Sequence, residues 1–214
     1  MDWRPDRSWY SRDARELAPA LLGAHIHSHK DGVPVSIRLT EVEAYCGSAD
    51  PGSHAYRGQT KRTAVMFGPP GHLYVYFTYG MHWCMNVVCS RDGEASAVLL
   101  RAGEVVSGID HARHRRPAAR KDVDLARGPA RLANALGVAG ETNGLDLIAP
   151  QTPVWITLPP GGAGAVPNGK ISTGPRVGVS GAGGDGDTYP WRYWITGEPS
   201  VSQYRPGGKR RRSS

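Results

Sequence analysis

The sequence is poor in cysteine, phenylalanine and lysine. Its 214 residues hold three Cys and two Phe, and of 26 basic residues only Lys30, Lys61, Lys121, Lys170 and Lys209 are lysine. Three thiols, Cys46, Cys84 and Cys89, build no disulfide framework and favour a reduced, intracellular setting. No apolar run approaches the roughly 18 residues of a membrane span, so no membrane partner is expected. The opening Met1-Asp2-Trp3-Arg4-Pro5-Asp6-Arg7 lacks the apolar stretch of a secretory signal. No repeat period is present. His82 and Cys84, with Cys89, have no second ligand pair at finger spacing, and the zinc-deaminase pattern is missing, so no metal is expected. Two glycine patterns also fail. Gly181 to Gly186 fits a dinucleotide fingerprint but runs into Asp187-Thr188-Tyr189-Pro190, which cannot open the required helix. Gly164 to Lys170 misses a phosphate loop because Ile171 stands where Ser or Thr must bind magnesium.

What is abundant is turn-forming residue and positive charge. The 28 Gly and 17 Pro predict a loop-rich fold rather than a helical bundle. The net charge of +7 favours a polyanionic partner, most often nucleic acid. The first ten residues read as an arm, 11–204 as one domain, and 205–214 as a tail whose charge lies in Lys209-Arg210-Arg211-Arg212. Ser11 to Leu22 reads as a short helix, with Ser11 or Asp13 as N-cap and Gly23 as its stop. In Val35 to Tyr45 the residues Val35, Ile37, Leu39, Glu41, Glu43 and Tyr45 share one parity, so an extended chain puts them on one face. Cys46 to Pro70 reads as a long loop, which calls for a functional reason. Leu73 to Thr78 and Met81 to Cys89 read as a hairpin with Tyr79-Gly80 at its tip. Ala95 to Ala102, Thr152 to Leu158, Arg176 to Val179 and Trp191 to Thr196 read as further strands, and Pro129 and Gly137 bracket a second helix. Pro159 to Gly169 reads as a flexible loop. Many strands, few helices and no βαβ alternation predict an α+β domain with a curved, largely antiparallel sheet and a protruding hairpin.

Three constellations bear on function. The basic run from His111 to Lys121 reads as a solvated face or as phosphate contacts. In the hairpin, packing accounts for Val75 and Phe77 but not for Tyr79 beside a turn glycine. An exposed ring there suits a wedge entering a minor groove. The pair Glu41 and Glu43 with Tyr45 and His54 reads, residue by residue, as an exposed strand face and a loop histidine.

Together these residues match a family. The chain resembles the alkyladenine/3-methyladenine DNA glycosylases of the mammalian alkyladenine type, from about Leu17 to about Val201, and not the helix-hairpin-helix type. The motifs are Thr40-Glu41-Val42-Glu43-Ala44-Tyr45 with His54, and Gly71-His72-Leu73-Tyr74-Val75-Tyr76-Phe77-Thr78-Tyr79-Gly80-Met81 with Asn86. Val98-Leu99-Leu100-Arg101-Ala102, Gly128-Pro129-Ala130-Arg131-Leu132 and Arg176-Val177-Gly178-Val179 complete them.

The resemblance implies a monofunctional enzyme of base excision repair. It would hydrolyse the glycosidic bond of alkylated, and also deaminated, purines in duplex DNA and leave an abasic site. Glu43 would be the general base that activates water toward C1′. The Arg101 side chain and the Val177 carbonyl would hold that water, and a nearby cation would keep the carboxylate ionised. Glu41 has no catalytic role by family precedent. Tyr45, His54 and Tyr76 would wall the pocket for the extruded base, where electron-rich rings attract a cationic purine. Tyr74 would brace His54, and Asn86 would clash with the 2-amino group of normal guanine. Tyr79 would intercalate with Met81 beside it, while His82 and Trp83 depart from the mammalian pattern. No Lys lies in the matched motifs, so no Schiff base and no strand cutting are implied, and no organic cofactor. A monomer is implied. A non-catalytic nucleic-acid binder on the same fold stays open as the alternative.

Overall fold

The strand that carries both glutamates, β2 (Val33–Tyr45), is the axis of the molecule. In the computed structural model, which describes residues 3–30, 32–78, 80–159 and 166–208, it pairs antiparallel along one edge with β5 (Ala97–Ser107). Its other edge is shared by β1 (His25–Lys30) and β8 (Arg192–Ile195). Beyond β5 lie β4 (His82–Val88) and β3 (Leu73–Thr78). Beyond β1 lies β6 (Val154–Thr157), and β7 (Ile171–Gly174) pairs with β8. The result is an α+β fold on an open, eight-stranded antiparallel sheet with a few short helices.

Two of those helices follow from their caps. In α2 (Ala14–Leu21) the Asp13 carboxylate accepts the Arg15 N–H, and Leu17 and Leu21 are buried. In α4 (Pro129–Leu136) Pro129 stands in the first turn and Gly137 closes the last at φ 74°. Leu132 and Leu136 are completely buried, and a Leu→Ala change at either costs about 2–5 kcal/mol.

Period-two alternation sorts the sheet into two faces. Leu73 and Val75 on β3, Met85 and Val87 on β4, and Val98 and Leu100 on β5 enter the core with α2 and α4. Their neighbours Tyr74, Tyr76, Cys84, Asn86, Leu99 and Arg101 face a cavity on the other side. The sheet is thus a wall whose one side makes stability and whose other side makes a site.

Several expectations need correction. Arg176 to Val179 is not a strand; β7 ends at Gly174, and the chain turns through Gly178 at φ 75°. Long-range bonds from the Arg176 side chain fix this turn in place of a ladder. Phe77 is not packed in the core but 46% exposed, since the hairpin end extends past the body. The strand expected at Ala95 to Ala102 runs on to Ser107. The basic run begins as a helix, α3 (Ile109–Arg115), whose Arg113 pairs with Asp110 and Asp122. The stretch read as an arm holds α1 (Arg7–Tyr10), a buried Tyr10 and a bridge from Trp3 to Leu158. Of the loop expected at Pro159 to Gly169, residues 160–165 lie outside the described residues, as do Tyr79 and the charged tail from Lys209.

Candidate active site

A cavity of about 380 Å³ opens on the site face of the sheet, within the range of small-ligand sites. Tyr45, His54, Tyr74, Tyr76, Asn86, Arg101 and Val177, all singled out in the sequence, line it. They come from β2, β3, β4, β5, the loop after β2 and the turn after β7.

Two irregularities in the β2–β5 ladder aim the charged residues. Glu41 pairs with Ala102 and Val42 with Leu100, so Arg101 is an extra residue on β5. Leu39 pairs with Gly103 and Glu41 with Ala102, so Thr40 is an extra residue on β2. Such bulges bend a strand and re-aim side chains. Here Arg101 is turned across both glutamates: its Nε donates to Glu41 Oε1 at 2.9 Å and its Nη1 lies 3.4 Å from Glu43 Oε1. Burial opposes the Arg101 charge, but Glu43 and Glu41 outweigh it and raise its pKa above the usual value.

Glu43 is completely buried and does not itself line the cavity, whereas Tyr45, Arg101 and Val177, which contact it, do. The Tyr45 hydroxyl donates to Oε2 at 2.8 Å and the Val177 N–H donates to Oε1 at 2.7 Å. The Val177 N–H thus contacts the carboxylate directly, a contact separate from the water-holding role that the resemblance implies for the Val177 carbonyl. Burial, and then the Glu43 charge, push the Tyr45 phenol well above its usual pKa, so it remains a donor. An ionised carboxylate has about four acceptor sites, so these contacts leave room for another proton donor. Glu41, two residues earlier, is also buried but is fully engaged: Arg101, Arg192 and Ser202 all donate to it. Burial favours its neutral form, yet Arg101 and Arg192 outweigh that and lower its pKa.

The aromatic wall is a set of touching rings. Tyr74 and Tyr76 stack at 5.5 Å, and His54 meets Tyr76 edge-on at 4.6 Å. His54 Nδ1 lies 3.2 Å from the Tyr74 hydroxyl, while the Arg62 guanidinium lies 3.5 Å from Nε2. Burial first, and then the Arg62 charge, lower the His54 pKa to about 4. The ring is neutral at pH 7 and offers no charge to repel a cation. The Asn86 side-chain N–H donates to the Tyr74 carbonyl at 3.0 Å, which holds the amide against the wall. Met81, at the hairpin end, is 67% exposed.

A buried arginine missed as a site residue holds these parts together. The Arg176 guanidinium donates to both oxygens of Asp50, at 2.5 and 2.7 Å, and to the carbonyls of Ala44 and Gly183. It also stacks on the Tyr45 ring, 4.5 Å from its centroid. Arg176 therefore locks the turn that carries Val177, the loop that carries His54 and the ring of Tyr45. A Cβ at Gly52 would strike this guanidinium, so the close approach needs glycine. The sequence signal was Arg176 in its short motif and Asp50 in the long loop, but nothing local joins residues 126 positions apart.

The sequence model for "Methylpurine-DNA glycosylase (MPG)" matches residues 8–199, which takes in every element that lines the cavity. The chain belongs to the methylpurine-DNA glycosylase family. A protein of Streptomyces avermitilis is 54% identical over 207 residues, covering 96% of this chain and 94% of that one. One from Leifsonia xyli subsp. xyli is 53% identical over 207 residues, covering 94% and 93%, and one from Frankia casuarinae 50% over 205 residues, covering 92% of each. All three carry the name "Putative 3-methyladenine DNA glycosylase". As a methylpurine-DNA glycosylase the chain is a hydrolase of N-glycosyl bonds with DNA as its substrate. No described helix is long and apolar enough to cross a membrane.

Proposed function

We propose that the protein removes alkylated purines such as 3-methyladenine and 7-methylguanine from duplex DNA by flipping the nucleotide into this cavity and hydrolysing its glycosidic bond. One observation carries the proposal: a buried carboxylate, Glu43, lies behind an aromatic-walled cavity with Arg101, Tyr45 and the Val177 N–H between the two. A base entering between the rings brings its C1′ toward this end. Water adds to C1′ and gives its proton to Glu43. The C1′–N bond breaks, and its electron pair neutralises the positive charge on the purine. The leaving base then needs no general acid, and the products are a free base and an abasic site.

The anionic carboxylate also opposes the positive charge that grows on the sugar. The rings of Tyr45 and Tyr76, with neutral His54, attract a cationic base, and Asn86 stands where a 2-amino group would arrive. Deaminated purines, being neutral, gain less from the rings. The exposed Met81, with Tyr79 by resemblance, fills the gap that extrusion leaves; such insertion offsets an unstacking cost of a few kcal/mol. We read the enzyme as an intracellular monomer that uses no metal or organic cofactor. The alternative, a binder without chemistry, has less support, because Glu43, Arg101 and Val177 are all present and in contact.

The test is Glu43→Gln on a duplex oligonucleotide carrying one 7-methylguanine. Base release falls at least ~10³-fold, since general-base catalysis and charge stabilisation are lost together, while the lesion duplex is still bound in a gel-shift titration. Release at the wild-type rate would refute the assignment.

A further inference from the structure

Glu41 shares a strand and a cation with Glu43, yet the proposed chemistry gives it nothing to do. We propose that Glu41 is a positioning residue that sets how closely Arg101 approaches Glu43. The inference rests on reading Glu43 as the base. Arg101 stands opposite two anions and divides itself unequally. Its bond to Glu41 is 2.9 Å, its approach to Glu43 is 3.4 Å, and its Nη2 meets the Ser202 hydroxyl at 3.3 Å. Glu41 is held just as firmly from the other side: Arg192 Nε donates to the same Oε1 at 2.7 Å, and the Ser202 N–H donates to Oε2 at 2.7 Å. Glu41 thus keeps the guanidinium off the base.

Without that competing charge Arg101 has one anion left and closes on it. A carboxylate in a close ion pair is a weaker base and has fewer lone pairs for water. Arg192 acts in the opposite sense. It draws Glu41 away from Arg101, so its removal commits Glu41 to Arg101 and loosens the hold on Glu43. Two substitutions in one network must therefore move the reaction in opposite directions, which general damage to the fold does not do.

The other groups around Glu43 do not confuse the readout. Tyr45 on β2 and Tyr76 on β3 have phenols raised by burial, and the Cys84 thiol on β4 is pushed up to about 11, burial being the main cause in each. Arg176, from the turn after β7, is a fixed cation whose raised pKa reflects Asp50, Tyr45 and Glu43 outweighing burial. His54, in the neighbouring wall, is unchanged in every variant.

The experiment measures single-turnover release of 7-methylguanine from a duplex oligonucleotide across pH for the wild type, Glu41→Gln, Arg192→Gln, Glu41→Asp and Glu43→Gln. In Glu41→Gln the acid limb moves to lower pH by about 1 unit, the size expected for one closer opposite charge, and the plateau rate falls. In Arg192→Gln the limb moves to higher pH. Glu41→Asp keeps the charge and returns the limb toward wild type. A limb that stays put in Glu41→Gln and Arg192→Gln, or moves the same way in both, overturns the proposal. If Glu41→Gln does not fold, the rise in Arg192→Gln decides alone. Activity in Glu43→Gln would instead overturn the reading of the base, so the two failures are distinct.

Discussion

The floor of the cavity and the hairpin end are built on opposite principles. At the floor, Glu41, Glu43, Arg101, Arg176 and Arg192 are all at least 95% buried, and each meets opposite charge. At the hairpin end, apolar Phe77 and Met81 stand 46% and 67% exposed. Burying charge costs several kcal/mol per ion unless it is paired and hydrogen-bonded, and exposing large apolar groups gains nothing in a free monomer. Each region breaks the ordinary rule of burial. On the proposed function, the difference teaches that chemistry is kept in a fixed, dry electrostatic frame, while contact with DNA is left to groups that matter only once a partner covers them.

The sharpest break of this comparison is at Arg176. Arg176→Met leaves Asp50 buried without its cation, and a lone buried charge costs about 3–5 kcal/mol, read as a lower midpoint in urea unfolding. A variant as stable as wild type would show the floor to be far less rigid than its geometry implies.

His54 lies between the two regions and sharpens the comparison through pH. Its folded pKa, about 4, lies below the ordinary 6.5, so between those values the unfolded chain binds more protons. Stability is therefore lost as pH falls through that window. His54→Gln has no ring to protonate, so its melting temperature falls less steeply from pH 6.5 to 4. Parallel slopes would place the loss elsewhere, for instance at the carboxylates.

The smallest effect on stability is expected at the rim. The change Met81→Ser shifts unfolding by no more than about 0.5 kcal/mol, because this side chain faces solvent. It still slows excision from duplex DNA. Unchanged excision would remove the hairpin from the mechanism without touching the floor.

How much of this was legible depended on distance along the chain. The hairpin, β2 and α4 announce themselves through alternation, Pro129 and Gly137, all local signals. The family motifs supplied Glu43, Arg101 and the aromatic wall, but not their arrangement. Alternation could not say that Glu41 and Glu43 are buried, because that depends on β5, on β8 and on Ser202, 161 residues away from Glu41. Arg176 to Val179 looked like a strand by composition, but a side chain reaching for Asp50 overrode the pattern. α3 was hidden because its residues are mostly charged or polar, and Phe77 was misread because periodicity does not show where a hairpin outruns its support.

Tyr45 gives the fold one more property. The same ring walls the cavity, rests on Arg176 and donates a hydrogen bond from its hydroxyl to Glu43. A guest that tilts this phenol necessarily stretches its link to the acid, and one that lies flat on it leaves the link intact. If Glu43 is the base, as proposed, recognition and reactivity share a hinge, and a poorly fitting guest is penalised twice through a single side chain.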